Sequence, residues 1–167
     1  MRSSWAIALV LLVFGGLSLS IPRDTRSEDA STISNAERVR AAFERWATGG
    51  GFFDQLLAAD VSWTIHGSGP LAKTYAGRDA FIREAVRPFA ARLVKPVTPT
   101  IRHLVAQGDV VVAVWDGEAM ARDGVPYKNN YVWVFRIQDG KAVEVEAFLD
   151  LEPYYAVLKR VPLPESR

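Results

Sequence analysis

Residues Tyr127 to Asp150 read YKNNYVWVFRIQDGKAVEVEAFLD. Two β-rich runs flank Gln138-Asp139-Gly140-Lys141, and Asp-Gly between such runs is a strong hairpin signal, because a tight hairpin turn needs residues that accept positive φ. Alternation then assigns faces. Tyr127, Asn129, Tyr131 and Trp133 fall on one side of the first strand, and Asn130, Val132 and Val134 on the other. The second strand ends at Asp150 beside Phe148. Amide, aromatic and carboxylate groups at strand ends suit a pocket for a small organic molecule.

The rest of the chain supplies partners for this hairpin. Three further strands are expected, over about Val61–His66, Thr100–Gln107 and Val110–Ala121. The last two join the hairpin through short connections at Gly108-Asp109 and Arg122-Asp123-Gly124, which implies an antiparallel meander. Ahead of them lie helical patterns. Ser34 and Glu37 have capping-box spacing, and Val39, Phe43, Trp46 and Ala47 follow on one face. Gly49-Gly50-Gly51 stops that helix. Phe52–Ala59 reads as a short second helix. Phe81, Ile82, Ala85, Val86 and Phe89 stripe a third, with Pro88 kinking it or marking its last turns. Lys95-Pro96-Val97-Thr98-Pro99 breaks the pattern, and a C-terminal helix starts near Glu152-Pro153. The expected fold is α+β: a cone-shaped roll in which a curved, mostly antiparallel sheet wraps around N-terminal helices and encloses a pocket.

The 167 residues make one ordinary domain. Lys plus Arg number 20 against 19 Asp plus Glu, and no basic stripe stands out along the sequence, which argues against nucleic acid as a partner. The absence of cysteine removes disulfides, a thiol nucleophile and thiolate metal sites. Met1-Arg2-Ser3-Ser4, the apolar run Trp5–Leu19 and the small residues Ser18 and Ser20 read as a Sec-type signal peptide over 1–20. Export to the periplasm or outside the cell is therefore expected. An uncleaved N-terminal anchor is the alternative, and the only route to a membrane that these residues offer. Residues 21–32 read as a polar linker, 33–160 as the domain and 161–167 as a tail.

Trp63-Thr64-Ile65-His66-Gly67, Tyr75-x-Gly77-Arg78, Asn129-Asn130-Tyr131-x-Trp133-Val134-Phe135, Asp139-Gly140-Lys141 and Phe148-Leu149-Asp150 together resemble the nuclear transport factor 2-like superfamily. Within it they are similar to the SnoaL-like and ketosteroid-isomerase-like proteins. The resemblance implies a cavity for a small apolar or cyclic organic ligand, no cofactor, and a homodimer formed through the open sheet. It leaves activity open, because the fold hosts isomerases, cyclases, dehydratases, hydrolases and non-catalytic binders.

Two residues are candidates for catalysis. Asp150 resembles the terminal-strand aspartate of SnoaL-like cyclases and related hydrolases, where it would be general acid or base. Its other reading is a cap for the C-terminal helix. On a regular strand it shares the side of Glu144 and Glu146, so a pocket role requires an irregularity just before it. His66, at a strand end beside Gly67-Ser68-Gly69, suits proton transfer at the cone mouth. Tyr75 and Asn130 are assigned to substrate orientation; Asn130 is preferred over Asn129 on the family's paired-asparagine pattern. Trp63, Trp115, Trp133 and Phe148 are assigned to the pocket lining, although ordinary core is the alternative for each aromatic residue. Glu118 is weighed as a partner for Asp150 and as a solvated residue, and His103 as a packed sheet histidine. Two isolated histidines do not make a metal site, and none is expected.

Overall fold

The turn at Asp139-Gly140 forms as its residues dictate, with φ of 49° and 75°. It joins strand β5 (Pro126–Gln138) to β6 (Lys141–Leu149), paired antiparallel from Gln138 opposite Lys141. The computed structural model describes residues 25–163, the side chains of 25–28, 30 and 33 aside. β4 (Val110–Ala121) pairs with β5, and β3 (Leu93–Gln107) with β4, both antiparallel. On the other side β1 (Leu57–Ile65) lies parallel to β6, and the short β2 (Thr74–Ala76) flanks β1. The result is an open six-stranded sheet of order β2-β1-β6-β5-β4-β3. It is the expected curved, mostly antiparallel sheet.

Several boundaries move, each for a physical reason. β3 begins at Leu93 and runs through Lys95–Pro99, where a break was expected. It is an edge strand, so its prolines forfeit no ladder bond on the open side, and register shifts at Leu93/Lys95, Lys95/Thr98 and Ile101/His103 absorb the misfit. β1 starts at Leu57, inside the stretch read as helix; only Phe53–Leu56 is helical there (α2). Helix α1 spans Thr25–Ala47, so the stretch read as linker is helical from Thr25 and Ser34 sits within the helix. The expected signal peptide lies outside the described residues, as do 21–24 and 164–167.

Helix α1 ends in a Schellman motif. The Gly50 N–H reaches the Arg45 carbonyl at 2.7 Å and the Gly49 N–H the Trp46 carbonyl at 2.9 Å, with Gly49 at φ 85°. The third helical segment is interrupted. α3 (Arg78–Phe81) passes into a π turn over Ile82–Val86 and then α4 (Arg87–Ala90). Pro88 explains this: it donates no N–H, and its ring crowds the Glu84 carbonyl, so the turn before it widens. Phe81, Ala85 and Phe89 still face inward. Helix α5 (Leu151–Arg160) packs against α4 and β5.

The core lies between the inner face of the sheet and these helices. Val61, Trp63 and Ile65 of β1, Val111, Ala113 and Trp115 of β4, and Tyr131, Trp133 and Phe135 of β5 point into it. Gly117 follows on the same face of β4. A Cβ there would meet Tyr131 Cε2 at 2.8 Å, Trp115 Cζ3 at 3.0 Å and Val97 Cγ1 at 3.2 Å. This glycine leaves the space that two stacked rings occupy. Gly117→Ala should therefore destabilise the fold by about 1–3 kcal/mol through overpacking, measured by urea unfolding, and should change the near-ultraviolet circular dichroism. An unchanged midpoint and spectrum would contradict this account of Gly117.

Candidate active site in the aromatic cavity

A cavity of about 260 Å³ opens between the sheet, the Arg78–Ala90 segment and α5. Its walls are aromatic. Trp63 stacks on Phe81 at 4.0 Å, and Trp115 on Tyr131 at 3.9 Å. Trp133 sits between them, edge-on to Trp63 at 5.0 Å and to Trp115 at 4.7 Å. Trp46 of α1 runs parallel to Trp133 on the helical side. Phe53, Phe89, Leu93, Val97 and Leu149 fill the remaining wall. No Asp, Glu, Lys, Arg or His lines it. The Nε1 atoms of Trp63 and Trp115 are buried without a hydrogen-bond acceptor, a cost the protein carries among its packed rings.

Tyrosine hydroxyls supply the polarity. Tyr131, a wall residue, shares a 2.6 Å hydrogen bond with Tyr127, and either oxygen can donate. Asn129 Nδ2 donates to the Tyr127 hydroxyl at 2.8 Å and to the Asp150 carbonyl at 2.7 Å. Its Oδ1 accepts from the backbone N–H of Asn130 and of Asp150. Tyr154, on α5, stacks on Phe89 at 4.2 Å and donates to the Ala85 carbonyl of the π turn at 2.7 Å. Burial pushes the Tyr131 and Tyr154 phenols well above the ordinary tyrosine range, and Tyr127 upward as well. At neutral pH these groups are neutral hydrogen-bond donors.

Of the residues singled out from the sequence, Trp63, Trp115 and Trp133 come together in the wall. Tyr75 is buried outside the lining, where its hydroxyl donates to the Leu71 carbonyl at 3.0 Å and burial raises its phenol to about 12. Asn130 points away from the cavity to Asp116 Oδ1 at 2.6 Å; the inward asparagine is Asn129, 7% exposed. Phe148 and His66 lie on the outer face of the sheet, stacked at 4.4 Å, with His66 Nε2 3.4 Å from Glu146 Oε2. Glu118 pairs with Lys128 there, and His103 is exposed. Asp150 is exposed at the N-cap of α5, its Oδ1 accepting from the Glu152 N–H at 3.0 Å. One register shift does occur in the β5–β6 ladder, between Arg136 and Ile137. From Glu144 to Leu149 the ladder is regular, so Asp150 stays on the glutamate side.

Asn129 was weighed and passed over for Asn130, and Tyr127, Tyr131, Tyr154 and Gly117 were not singled out. Parity already placed Tyr127, Asn129 and Tyr131 with Trp133, and that signal was sufficient. Tyr154 and Gly117 carry no local signal, because their roles depend on contacts across the fold. Among the described residues no cluster of three or more His, Asp or Glu side chains is placed to hold a metal.

A family model described as a SnoaL-like domain matches residues 36–145. Solved structures share the fold. A candidate SnoaL-like polyketide cyclase from Jannaschia sp. CCS1 superimposes with a TM-score of 0.61 at 19% identity, covering 79% of this chain and 96% of that one. An NTF2-like protein from Burkholderia thailandensis E264 gives 0.61 at 21% identity, covering 74% and 96%. TerC, co-crystallised with polyporic acid, gives 0.61 at 22% identity, covering 75% and 98%. None of the curated proteins matches the sequence.

The bonding pattern separates a structural Asp150 from a catalytic one. Asn is as good an N-cap as Asp, so Asp150→Asn should leave stability within a few tenths of a kcal/mol, whereas Asp150→Ala should cost about 1 kcal/mol. Asn129→Ala should cost more, about 2–3 kcal/mol, because it removes the hydrogen bonds to the Tyr127 hydroxyl and to the backbone of Asn130 and Asp150 together. Thermal melts of the three variants check this order. Equal losses from Asp150→Asn and Asp150→Ala would overturn the capping role.

Proposed function

The chain belongs to the SnoaL-like domain family, and from that premise we propose that its cavity binds a small, neutral, ring-shaped molecule carrying one acceptor oxygen. The observation that supports this is the wall itself: four tryptophans, and no side chain that is charged at neutral pH. An apolar ring gains from burial against such a surface. The acceptor oxygen faces Tyr131. Asn129 already donates to the Tyr127 oxygen, and in the proposed complex Tyr127 is the donor in its 2.6 Å bond to Tyr131. That order leaves the Tyr131 proton for the ligand.

A catalytic reading draws on the same hydrogen bond. Two coupled phenols in an apolar site stabilise an enolate-like oxygen, as isomerisation, cyclisation or dehydration requires. Such a reaction also needs a base within about 3.2 Å of the substrate. Asp150 would have to leave the Glu152 N–H and turn inward to serve. Binding without turnover is therefore the first reading.

Tryptophan fluorescence titration with 1-tetralone and with its hydrocarbon analogue tetralin tests it. Both should bind saturably, the ketone more tightly. Tyr131→Phe should weaken the ketone about tenfold, the worth of one buried hydrogen bond, and leave tetralin unchanged. If neither compound binds, the reading fails. If the protein converts a retained ligand and Asp150→Asn abolishes the conversion, the catalytic reading replaces it.

We also propose a homodimer through the outer face of the sheet. Val105, 63% exposed, lies in register with Val112 and Val134, and Phe148, 41% exposed, with Val132 and Val114. An apolar patch of this kind, set among the ion pairs of the same face, is expected to be covered. Light scattering should give a dimer mass for the chain and a monomer mass for Val134→Lys; a monomeric parent chain would refute the pairing.

A further inference from the structure

The end of the molecule where the cavity opens carries an apolar and basic surface. Ala90 of α4 and Pro96 of β3 both line the cavity and are exposed, so they mark its mouth. Between them in the chain, Val94 is 64% exposed. Hydrogen bonds tie two other segments to this rim. The Arg122 N–H donates to the Arg92 carbonyl at 2.9 Å, and Arg122 Nε to the Ala91 carbonyl at 2.8 Å. Arg92 Nε donates to the Val161 carbonyl at 2.7 Å. The β4–β5 turn and the chain after α5 are thereby held beside the mouth. Each brings an exposed aliphatic residue: Val125 at 46% and Leu163 at 55%.

Among the described residues, the unpaired charges at this end are of one sign. Arg87, Arg92, Lys95 and Arg122 have no carboxylate within ion-pair distance among the described residues. Arg87 shares a helix face with Ala90, one turn away. Over 87–96, 121–126 and 160–163 the one carboxylate is Asp123, already held by Arg160 at 2.6 Å. A near-neutral chain has thus gathered unpaired cations and projecting aliphatic side chains around the mouth of an apolar cavity.

We propose that this end docks on an anionic phospholipid bilayer. The guanidinium and ammonium groups meet lipid phosphates, the valines and Leu163 enter the interface, and the mouth faces the acyl chains. Separate aliphatic residues set among cations fit a fluid, anionic, apolar-cored surface better than a folded protein patch, whose contact centre is depleted in charge. An apolar ligand then passes between bilayer and cavity without crossing water. That passage rests on the binding reading; the docking rests on the surface alone and stands if the cavity binds nothing.

Co-sedimentation of the full chain with phosphatidylcholine vesicles, with and without phosphatidylglycerol, tests the docking. Binding should appear with phosphatidylglycerol and fall as salt rises. Arg87→Gln/Lys95→Gln removes two exposed charges that make no hydrogen bond within the fold, so circular dichroism should not change. Partition should drop roughly 25-fold, at about fivefold per charge. Val94→Ser/Val125→Ser should weaken it further. Parent and variants share residues 1–24, so that segment cannot account for a difference between them. Equal binding without phosphatidylglycerol, unchanged binding of the charge variant, or equally tight capture by soluble polyglutamate would each overturn the proposal, the last by assigning the patch to an acidic polypeptide.

Discussion

Trp115 and Tyr131 are directly opposite in the β4–β5 ladder, and their stack at 3.9 Å is the contact from which the site is built. Gly117 leaves the room for it. The stack fixes the Tyr131 ring in the cavity wall and its hydroxyl 2.6 Å from Tyr127, two alternations back on the same strand. Asn129, between them in sequence and on the same face, then bonds both Tyr127 and the backbone of Asp150. That side chain joins the sheet to the start of α5. Because α5 begins there, Tyr154 reaches the π-turn carbonyl of Ala85 and closes the wall. Sheet register, helix entry and cavity shape thus follow from one pair of facing rings.

The π turn shows how a local defect becomes a component of the site. Pro88 cannot continue the α-helical bonding pattern, and the widened turn before it coincides with the carbonyl that Tyr154 uses. A straight helix would keep its carbonyls for its own ladder. The bond satisfies a buried phenol that would otherwise be stranded, and it ties the C-terminal helix to the segment that forms the opposite wall. The irregular start of β3 plays a comparable part at the mouth. Its register shifts turn Pro96 and Val97 toward the cavity and leave Val94 outside.

The β3–β6 meander was legible from alternation and turn chemistry, because Asp139-Gly140 and the two short connections permit only hairpin pairing, whereas β2 and the parallel place of β1 beside β6 carry no such local signal. The element boundaries were less so where tertiary context outweighs local pattern. Pro96 and Pro99 read as breakers, yet an edge strand tolerates them. In the site, parity was the better guide wherever it disagreed with resemblance. Trp133 and Asn130 cannot both face one cavity on a regular strand, and Trp133 faces it. Parity also put Asp150 with Glu144 and Glu146, where the regular ladder leaves it. His66 and Phe148 follow the same rule, being in step with Glu146. Tyr154 was not legible, since its place depends on the path of α5 across the sheet.

The separation of charge by face bears on chemistry. The sheet's outer face carries Glu118, Glu144, Glu146, Asp116 and Arg136, largely paired with one another or with neighbouring side chains, while the inner face and cavity carry phenols and indoles. A cavity that offers only neutral donors gives an anionic ligand no counter-ion, so ionisation inside would carry a desolvation cost without repayment. It equally gives a cation no carboxylate. A neutral acceptor keeps the gain of a buried hydrogen bond and avoids both costs. The raised phenols act in the same direction, since none of them will surrender a proton near neutrality to create a charge in the wall. The proposed selectivity for neutral, oxygen-bearing rings therefore rests on which side of the strand each titratable residue occupies, and the same alternation that builds the hairpin sets it.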